Sequence, residues 1–281
     1  MSWPVLAVIG VVSLSVGNLF QRLTMKDKER DPIVSVFIFQ FLMTCFALTF
    51  ALVKGFHLPP QNILLPGFLS STIYAFGGIL LFKAIKIIEA SEAALLSTFG
   101  AVVSIIVAYF FLDERLRPSQ LLGVGLIIAS VVAIRFEKQS LKFNHGSLMT
   151  LIGTSMFGLA VVIDAHVIRS FDAASYLVLT TLTPTLILGV VFPKKIFLLT
   201  RALRYHLNAK LIIFSLLYGI QAITFYLALE LGALASQMNT IIKTQTVLTV
   251  ILAAIFLKET SHLGRKALSA LLVTLGIFLI R

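Results

Sequence analysis

Charged residues are scarce in this sequence. They make up 12% of its 281 residues, about half of the roughly 25% that soluble domains carry. Hydrophobic residues make up 58%, and the mean hydropathy is +1.00. Because a soluble domain needs a charged surface, this composition indicates a protein of the lipid bilayer.

Cysteine is nearly absent as well. The single Cys45 lies within an apolar run, so no intramolecular disulfide can form. The sequence also lacks a phosphate-binding loop ending in Gly-Lys-Ser/Thr, the metal spacings His-Glu-x-x-His and Cys-x-x-Cys, and a Gly-x-Ser-x-Gly nucleophile motif. We therefore expect no ATP hydrolysis, no metal site, no catalytic residue and no cofactor, and we predict that the protein is not an enzyme.

Long apolar runs fill most of the chain. A helix needs about 20 apolar residues to cross the hydrocarbon core of a bilayer. Ten segments approach that length and leave no room for a soluble domain, so the sequence predicts an all-α integral membrane protein with ten transmembrane helices. The segments are 4–22, 33–53, 63–84, 91–112, 118–135, 147–168, 173–192, 210–230, 234–257 and 263–280.

Positive charge is concentrated in alternate connections between these segments. The net charge of +11 could suggest a nucleic-acid partner, but the Lys and Arg residues lie between apolar segments, so we expect none. The connections after segments 1, 3, 5, 7 and 9 hold 17 of the 23 Lys and Arg residues, and the others with the C-terminus hold 5. The positive-inside rule then predicts that both termini lie outside the cytoplasm.

A repeat of 145 residues relates the two halves of the chain. Ala90–Glu114 reads ASEAALLSTFGAVVSIIVAYFFLDE, and Ala235–Glu259 reads ASQMNTIIKTQTVLTVILAAIFLKE. The sequence thus predicts a first five-helix repeat over 1–140 and a second over 141–281. Because five is odd, the second repeat crosses the membrane in the opposite sense. Inverted repeats of this kind serve alternating access around a site near the midplane.

The two halves, with Phe111–Glu114 and Phe256–Glu259 closing their fourth helices, resemble the drug/metabolite transporter superfamily and its EamA-type branch. The resemblance implies a carrier of small metabolites, often amino acids or drugs and frequently coupled to protons. It implies a cavity lined by helices 1, 3, 4, 6, 8 and 9, with helices 5 and 10 peripheral. It also implies termini in the cytoplasm, opposite to the charge count. We interpret Glu114 and Glu259 as repeat-related end caps rather than ligands.

One cation lies inside a predicted span. Lys243 lies about a third of the way along 234–257, where a charge costs about 2.5–3.5 kcal/mol on translocon-based scales. At about 100° per residue, it shares a polar stripe with Ser236, Asn239 and Thr246. We predict that this stripe binds a carboxylate or phosphate of the transported solute.

The alternative is a structural lysine paired with a buried acid such as Asp164. The repeat counterpart of Lys243 is the neutral Thr98, which we place in the substrate site, and this asymmetry favours the substrate role. Asp164 and His166 lie towards the end of segment 147–168. They are candidates for coupling, through a proton or an amine, or they are solvated at the headgroup level.

Further side chains are predicted to face the same cavity. Asn18 corresponds to Asp164 at a spacing of 146 residues, and Tyr74 corresponds to Tyr218 at a spacing of 144. Gln221 shares a helix face with Tyr218. We therefore assign Asn18, Tyr74, Tyr218 and Gln221 to the predicted substrate site.

Taken together, these features predict a secondary active transporter that moves a small anionic or zwitterionic metabolite, such as an amino acid, by alternating access. The alternatives are a broad exporter of cationic or lipophilic compounds that uses Asp164, and a membrane enzyme or sensor that transports nothing. The expected partners are the solute, protons where transport is coupled, and the lipid bilayer. We expect a monomer in the cytoplasmic membrane of a prokaryote.

Overall fold

The computed structural model describes residues 2–27, 29–111, 117–137, 140–141, 144–196, 207–234, 238 and 241–280. A helix lies on each of the ten predicted segments, so the prediction of an all-α fold is confirmed. The helices are α1 Trp3–Met25, α2 Pro32–Lys54, α3 Gln61–Ile87, α4 Ala90–Ser97, α5 Phe99–Phe111, α6 Pro118–Arg135, α7 His145–Ile168, α8 Ala173–Val191, α9 Ala209–Glu230, α10 Gln245–Phe256 and α11 Leu263–Ile280.

Seven helical segments are long and apolar enough to cross a membrane, by length and composition: α1, α2, α3, α4 together with α5, α7, α8 and α9. Pro118–Ile134 of α6 and the whole of α10 are apolar but shorter.

One feature of the secondary structure was not predicted from the sequence. Phe136–Glu137 and Ser140–Leu141 pair as a short antiparallel hairpin between α6 and α7.

Polar side chains mark where several of these helices begin. Asp31, Asn144, Asp172 and Asn208 stand at the N-caps of α2, α7, α8 and α9. Each side chain accepts a hydrogen bond from a backbone N–H two or three residues further on. Such caps satisfy donors that the first helical turn leaves without partners, so each connection ends at a definite residue.

Successive crossings place the odd-numbered connections on one side of the membrane and the even-numbered ones on the other. Contacts between the connections follow this alternation. Glu89, in the third connection, contacts Lys266 beside the ninth. His57, in the second connection, lies 3.4 Å from Asp172 in the sixth. Odd connections therefore meet odd ones and even connections meet even ones.

The packing of the helices also follows the repeat. The 145-residue relation maps α1 onto α7 and α3 onto α9. In the structure α3 packs along α7, and α1 packs along α9, so the repeat exchanges these two interfaces. The repeat also relates α2 to α8 and α6 to α11, and in each case the two related helices pack against each other. The division into repeats 1–140 and 141–281 stays a prediction that this packing supports.

The fourth and ninth predicted segments are each interrupted. Thr98 separates α4 from α5, and Lys243 and Thr244 form a turn immediately before α10. The spans predicted over 91–112 and 234–257 thus contain breaks that the sequence analysis did not predict. Because Thr98 and Lys243 are 145 residues apart, both breaks occur at the same position of the repeat.

The same hydrogen bonds accompany both breaks. The backbone N–H of Thr98 donates to the carbonyl oxygen of Leu95 (3.3 Å), and its hydroxyl donates to the same oxygen (2.6 Å). Thr244 repeats this pattern on Ile241, at 2.9 and 2.7 Å. A threonine hydroxyl that bonds to a nearby carbonyl competes with the helical i to i−4 hydrogen bonds. The threonine at each break therefore offers a local reason for the interruption.

Candidate functional site

A cavity of about 210 Å³ lies between the helices of both halves. This volume is below the roughly 300–1,000 Å³ of sites for drug-sized ligands, so the cavity suits a small solute. Most of its wall is apolar, and the polar side chains on it are Asn18, Gln21, Gln40, Tyr74, Ser97, Thr154, Thr180, Thr181, Tyr218, Gln221, Tyr226, Lys243 and Gln245.

The helices that form this wall agree in part with the expected set. Neither α6 nor α11 contributes a wall residue in the part of the chain that the structure describes, as expected for peripheral helices 5 and 10. Two helices were not expected: α2 contributes Gln40, and α8 contributes Thr180 and Thr181.

Five of the predicted site residues meet at this cavity. They come from α1, α3, α9 and the turn before α10, which are far apart in the sequence. They are Asn18, Tyr74, Tyr218, Gln221 and Lys243.

Four other predicted residues do not reach the cavity wall: Thr98, Thr246, His166 and Asp164, whose surroundings are described below. Thr98 and Thr246 are fully buried between helices, and the hydroxyl of Thr246 donates to the carbonyl oxygen of Ala94 at 3.1 Å. Ser97, the neighbour of Thr98, lines the wall in its place. His166 is exposed near the end of α7, away from the cavity.

Lys243 lies half-buried on the cavity wall. Among the described residues, none forms an ion pair or a hydrogen bond with its ammonium group. Asp164 is thus not its partner, which contradicts the alternative of a structural Lys243–Asp164 pair. Ser236 and Asn239, predicted beside Lys243, lie outside the described residues.

The helix after this turn is fixed to α1. Asn18 donates from Nδ2 to the side-chain oxygen of Gln245 (2.8 Å), and the Thr249 hydroxyl donates to the same oxygen (2.7 Å). The Ser15 hydroxyl donates to the backbone oxygen of Gln245 (3.2 Å). These bonds hold the start of α10, and with it the turn that carries Lys243, against the cavity.

Asp164 is fully buried and is held by four hydroxyl groups. Its Oδ1 accepts hydrogen bonds from Ser70 and from Tyr176, the latter at 2.7 Å. Its Oδ2 accepts from Tyr74 at 2.6 Å and from Tyr226 at 2.8 Å. Because the donors belong to α3, α8 and α9, one carboxylate on α7 joins four helices.

Ser70, Tyr176 and Tyr226 were not predicted as site residues. A usable signal was present: the chain has only six tyrosines, and a carboxylate inside an apolar helix needs hydrogen-bond donors. Which hydroxyls reach it depends on the rotation of each helix about its axis, and the apolar pattern of a nearly all-hydrophobic helix does not define that rotation.

Aromatic rings form one side of the wall. Phe39 stacks on Phe214 with ring centroids 4.9 Å apart and meets Tyr218 edge-on at 5.1 Å. Phe82 lies 5.7 Å from Phe39. All four rings line the cavity, so this side offers an apolar surface to a solute.

Glu259 caps a helix of the other half at one end of the bundle. Its carboxylate accepts from the backbone N–H groups of Ala90 and Ser91, each at 3.1 Å, and from the Ser91 hydroxyl at 3.0 Å. Arg22 lies 3.4 Å from the same carboxylate. Glu259 thus caps the N-terminus of α4, where a negative charge is favourable. Glu114 lies outside the described residues.

These features define a multi-spanning α-helical membrane protein with a small central cavity between two broken helices. The model of the EamA-like transporter family matches residues 1–136. The match covers the first five-helix half and confirms the resemblance. Over these residues the chain matches the EamA-like branch of the drug/metabolite transporter superfamily, whose members are membrane transporters of small solutes.

Two further comparisons find similar proteins. An uncharacterized protein of Methanocaldococcus jannaschii is 24% identical over 131 residues, which are 46% of this chain and 93% of that protein. That relative is therefore about half as long as this chain. One solved crystal structure of a protein shares the fold with a TM-score of 0.68, covering 98% of this chain and 94% of the other at 15% identity.

Proposed function

We propose that the protein is a secondary active transporter that carries a small organic anion or zwitterion by alternating access, with Lys243 binding the anionic group. Lys243 is the observation that supports this most: it is a cation on the cavity wall without an acid partner in the described part of the chain. A charge inside the membrane is costly. A solute carboxylate or phosphate would offset that cost through charge-assisted hydrogen bonds.

The broken helices support the same role. Where a helix is interrupted, backbone groups lose their helical partners and can bind a solute, and transporters commonly place their sites at such breaks. Both breaks lie at one repeat position, at Thr98 and Lys243. The bond from Thr246 to Ala94 shows that the two interrupted segments contact each other.

The rest of the wall indicates a solute with an apolar part. The amide groups of Asn18 and Gln221 offer neutral hydrogen bonds, and the aromatic side of the cavity can cover a hydrocarbon or ring. The phenolic oxygens of Tyr74 and Tyr226 can accept hydrogen bonds from an ammonium group. An amino acid satisfies all three requirements.

Export of cationic compounds through Asp164 is the second candidate. The observation in its favour is a buried carboxylate beside the cavity. Its oxygens already accept four hydrogen bonds, so an amine in the cavity would contact Tyr74 and Tyr226 before it reached Asp164. This candidate requires a preference for amines that survives the removal of Lys243.

A thermal-stability screen of the purified protein tests the proposal. The wild type, Lys243→Met and Lys54→Met are heated with amino acids, organic acids, nucleotides and amines. Lys54 is exposed at the end of α2 and serves as the matched control. A ligand that binds only the folded state stabilises it by about 2.7 kcal/mol at 100 times its Kd.

We expect one anionic or zwitterionic class to stabilise the wild type and Lys54→Met but not Lys243→Met. Removing one member of a buried charge pair costs about 2–5 kcal/mol, which weakens binding by roughly thirtyfold or more. Equal stabilisation of all three proteins by that class would exclude Lys243 from the site. Equal stabilisation by amines would favour the second candidate.

A further inference from the structure

The Asp164 carboxylate has a complete set of hydrogen-bond donors. An ionised carboxylate offers about four acceptor sites and no donor, whereas a protonated one donates a hydrogen bond itself. In the structure two hydroxyls donate to each carboxylate oxygen. This arrangement matches the ionised form.

Among the described residues, no cation forms an ion pair with this carboxylate. The broken pair α4 and α5 also packs on α7, but in the described part it sends no ionisable side chain to this carboxylate. His166, two residues along α7, is exposed. The ionisable side chains of the described residues that face Asp164 are tyrosines. Tyr74 from α3, Tyr176 from α8 and Tyr226 from α9 donate hydrogen bonds to it. Tyr218, also from α9, interacts with it electrostatically without a hydrogen bond.

A proton on Asp164 changes what these hydroxyls can do. The new O–H bond makes the carboxyl a donor, so one neighbouring hydroxyl has to accept instead of donate and turn its own hydrogen elsewhere. The two hydroxyls on Oδ1 belong to Ser70 and Tyr176, which do not line the cavity. The two on Oδ2 belong to Tyr74 and Tyr226, which do. When the hydroxyl of Tyr74 or Tyr226 turns away from Oδ2, its hydrogen can therefore point into the cavity.

We propose that Asp164 is a proton-binding site, and that a proton on Oδ2 frees the hydroxyl of Tyr74 or Tyr226 to donate a hydrogen bond to the transported solute. A hydronium ion from the aqueous solution reaches the cavity, forms the bond to Oδ2 and leaves a neutral water molecule behind. The tyrosine keeps its own proton and only changes its direction, so no other group is charged or discharged.

Charge balance links this site to Lys243, and this consequence rests on the proposed function. Without solute, Lys243 and Asp164 sum to zero. A solute with one net negative charge leaves the membrane interior negative unless Asp164 takes up a proton, and uncompensated charge there is costly. A net anion therefore binds together with one proton, whereas a zwitterion binds without one.

Infrared pH-difference spectroscopy of the full-length protein in lipid tests the proton site without any solute. On acidification we expect the wild type to gain a carboxylic-acid C=O band together with a shift of a tyrosine C–O band. Asp164→Asn should lose both signals. Either Tyr74→Phe or Tyr226→Phe should lose the tyrosine shift and keep the C=O band. Tyr176→Phe is the matched control, and it should keep both.

Three results would overturn the proposal. The wild type could gain no C=O band that Asp164→Asn lacks, the tyrosine shift could survive in both cavity variants, or Tyr176→Phe alone could lose it. Thermal unfolding of each variant shows that it is folded. Because no solute is present, a failure here leaves the Lys243 screen unaffected, and a failure of that screen leaves the infrared result standing.

Discussion

Lys243 and Asp164 lie in opposite situations inside the membrane-spanning part of the chain. Asp164 accepts four hydrogen bonds and is fully buried. Lys243 has no such partner in the part that the structure describes, and it faces the cavity. Buried polar groups are almost always satisfied, so a charged group on a cavity wall without a protein partner is a candidate contact for a solute. This contrast supports the proposals that Lys243 contacts the solute and that Asp164 is an internal proton-binding site.

At the membrane surface, the pKa of Glu89 governs an acid-dependent part of the stability. Partial burial works to raise this pKa, but hydrogen bonds from Lys266 and Ser261 and the charges of Lys266 and Arg22 lower it below its ordinary value. A lowered pKa in the folded state means that the contribution is present above about pH 4.3, the ordinary pKa of glutamate. It is lost as the pH falls through the lower folded value.

We therefore predict that Glu89→Gln lowers the thermal midpoint at neutral pH, and that its difference from the wild type disappears in acid. Unfolding scans in detergent from neutral to acidic pH measure this. Glu29→Gln, at an exposed position, should follow the wild type at every pH. A Glu89→Gln deficit that is constant with pH would show that the Lys266 contact does not depend on the ionised carboxylate.

Between elements, α5 and α7 approach so closely that only glycine fits. A Cβ atom on Gly158 would lie 2.4 Å from the carbonyl oxygen of Gly100, and a Cβ on Gly100 would lie 2.7 Å from the backbone oxygen of Thr154. Small residues at such contacts let membrane helices pack backbone to backbone. This contact holds the segment after the first break against the helix that carries Asp164.

We predict that Gly158→Ala destabilises the protein by about 1–3 kcal/mol, because overpacking forces one backbone to move. The measurement is the unfolding transition in detergent. Gly125→Ala is the control, since a Cβ there meets no atom within 4 Å, and it should be neutral or slightly stabilising. Equal effects of the two substitutions would contradict the close contact of α5 with α7.

The cap of α4 by Glu259 is a second test at this scale. Glu259→Gln keeps the size of the side chain but replaces one carboxylate oxygen by a donor, which faces N–H groups of Ala90 and Ser91. Because hydrogen bonds to a charged group contribute about 1.5–3 kcal/mol, we expect a loss of this size in the free energy of unfolding. Glu230→Gln, exposed at the end of α9, is the control. An unchanged stability of Glu259→Gln would refute the cap.

For the whole molecule, hydropathy and the 145-residue repeat were enough to predict the ten helical segments and the meeting of both halves at a central cavity. They could not predict the breaks, because hydropathy does not register a hydroxyl that competes for a backbone carbonyl. The break ends the regular turn of 100° per residue. Thr246 therefore faces Ala94 rather than the cavity, although the uninterrupted helix placed it beside Lys243.

The orientation in the membrane stays a prediction. The contacts between connections show which of them share a face, as for Glu89 with Lys266 and His57 with Asp172. The positive-inside rule then predicts that the odd connections face the cytoplasm, while the family resemblance implies the reverse. The packing of the helices is compatible with both.

Counterflow in proteoliposomes tests the central claim most directly, because it needs both transport and the cavity lysine. Vesicles holding the wild type, Lys243→Met or Lys54→Met are preloaded with the solute that stabilises the wild type, and uptake of the labelled solute is measured. We predict exchange by the wild type and Lys54→Met, and at least roughly thirtyfold slower exchange by folded Lys243→Met. Exchange by Lys243→Met at the wild-type rate, or no exchange by any of the three, would contradict the account.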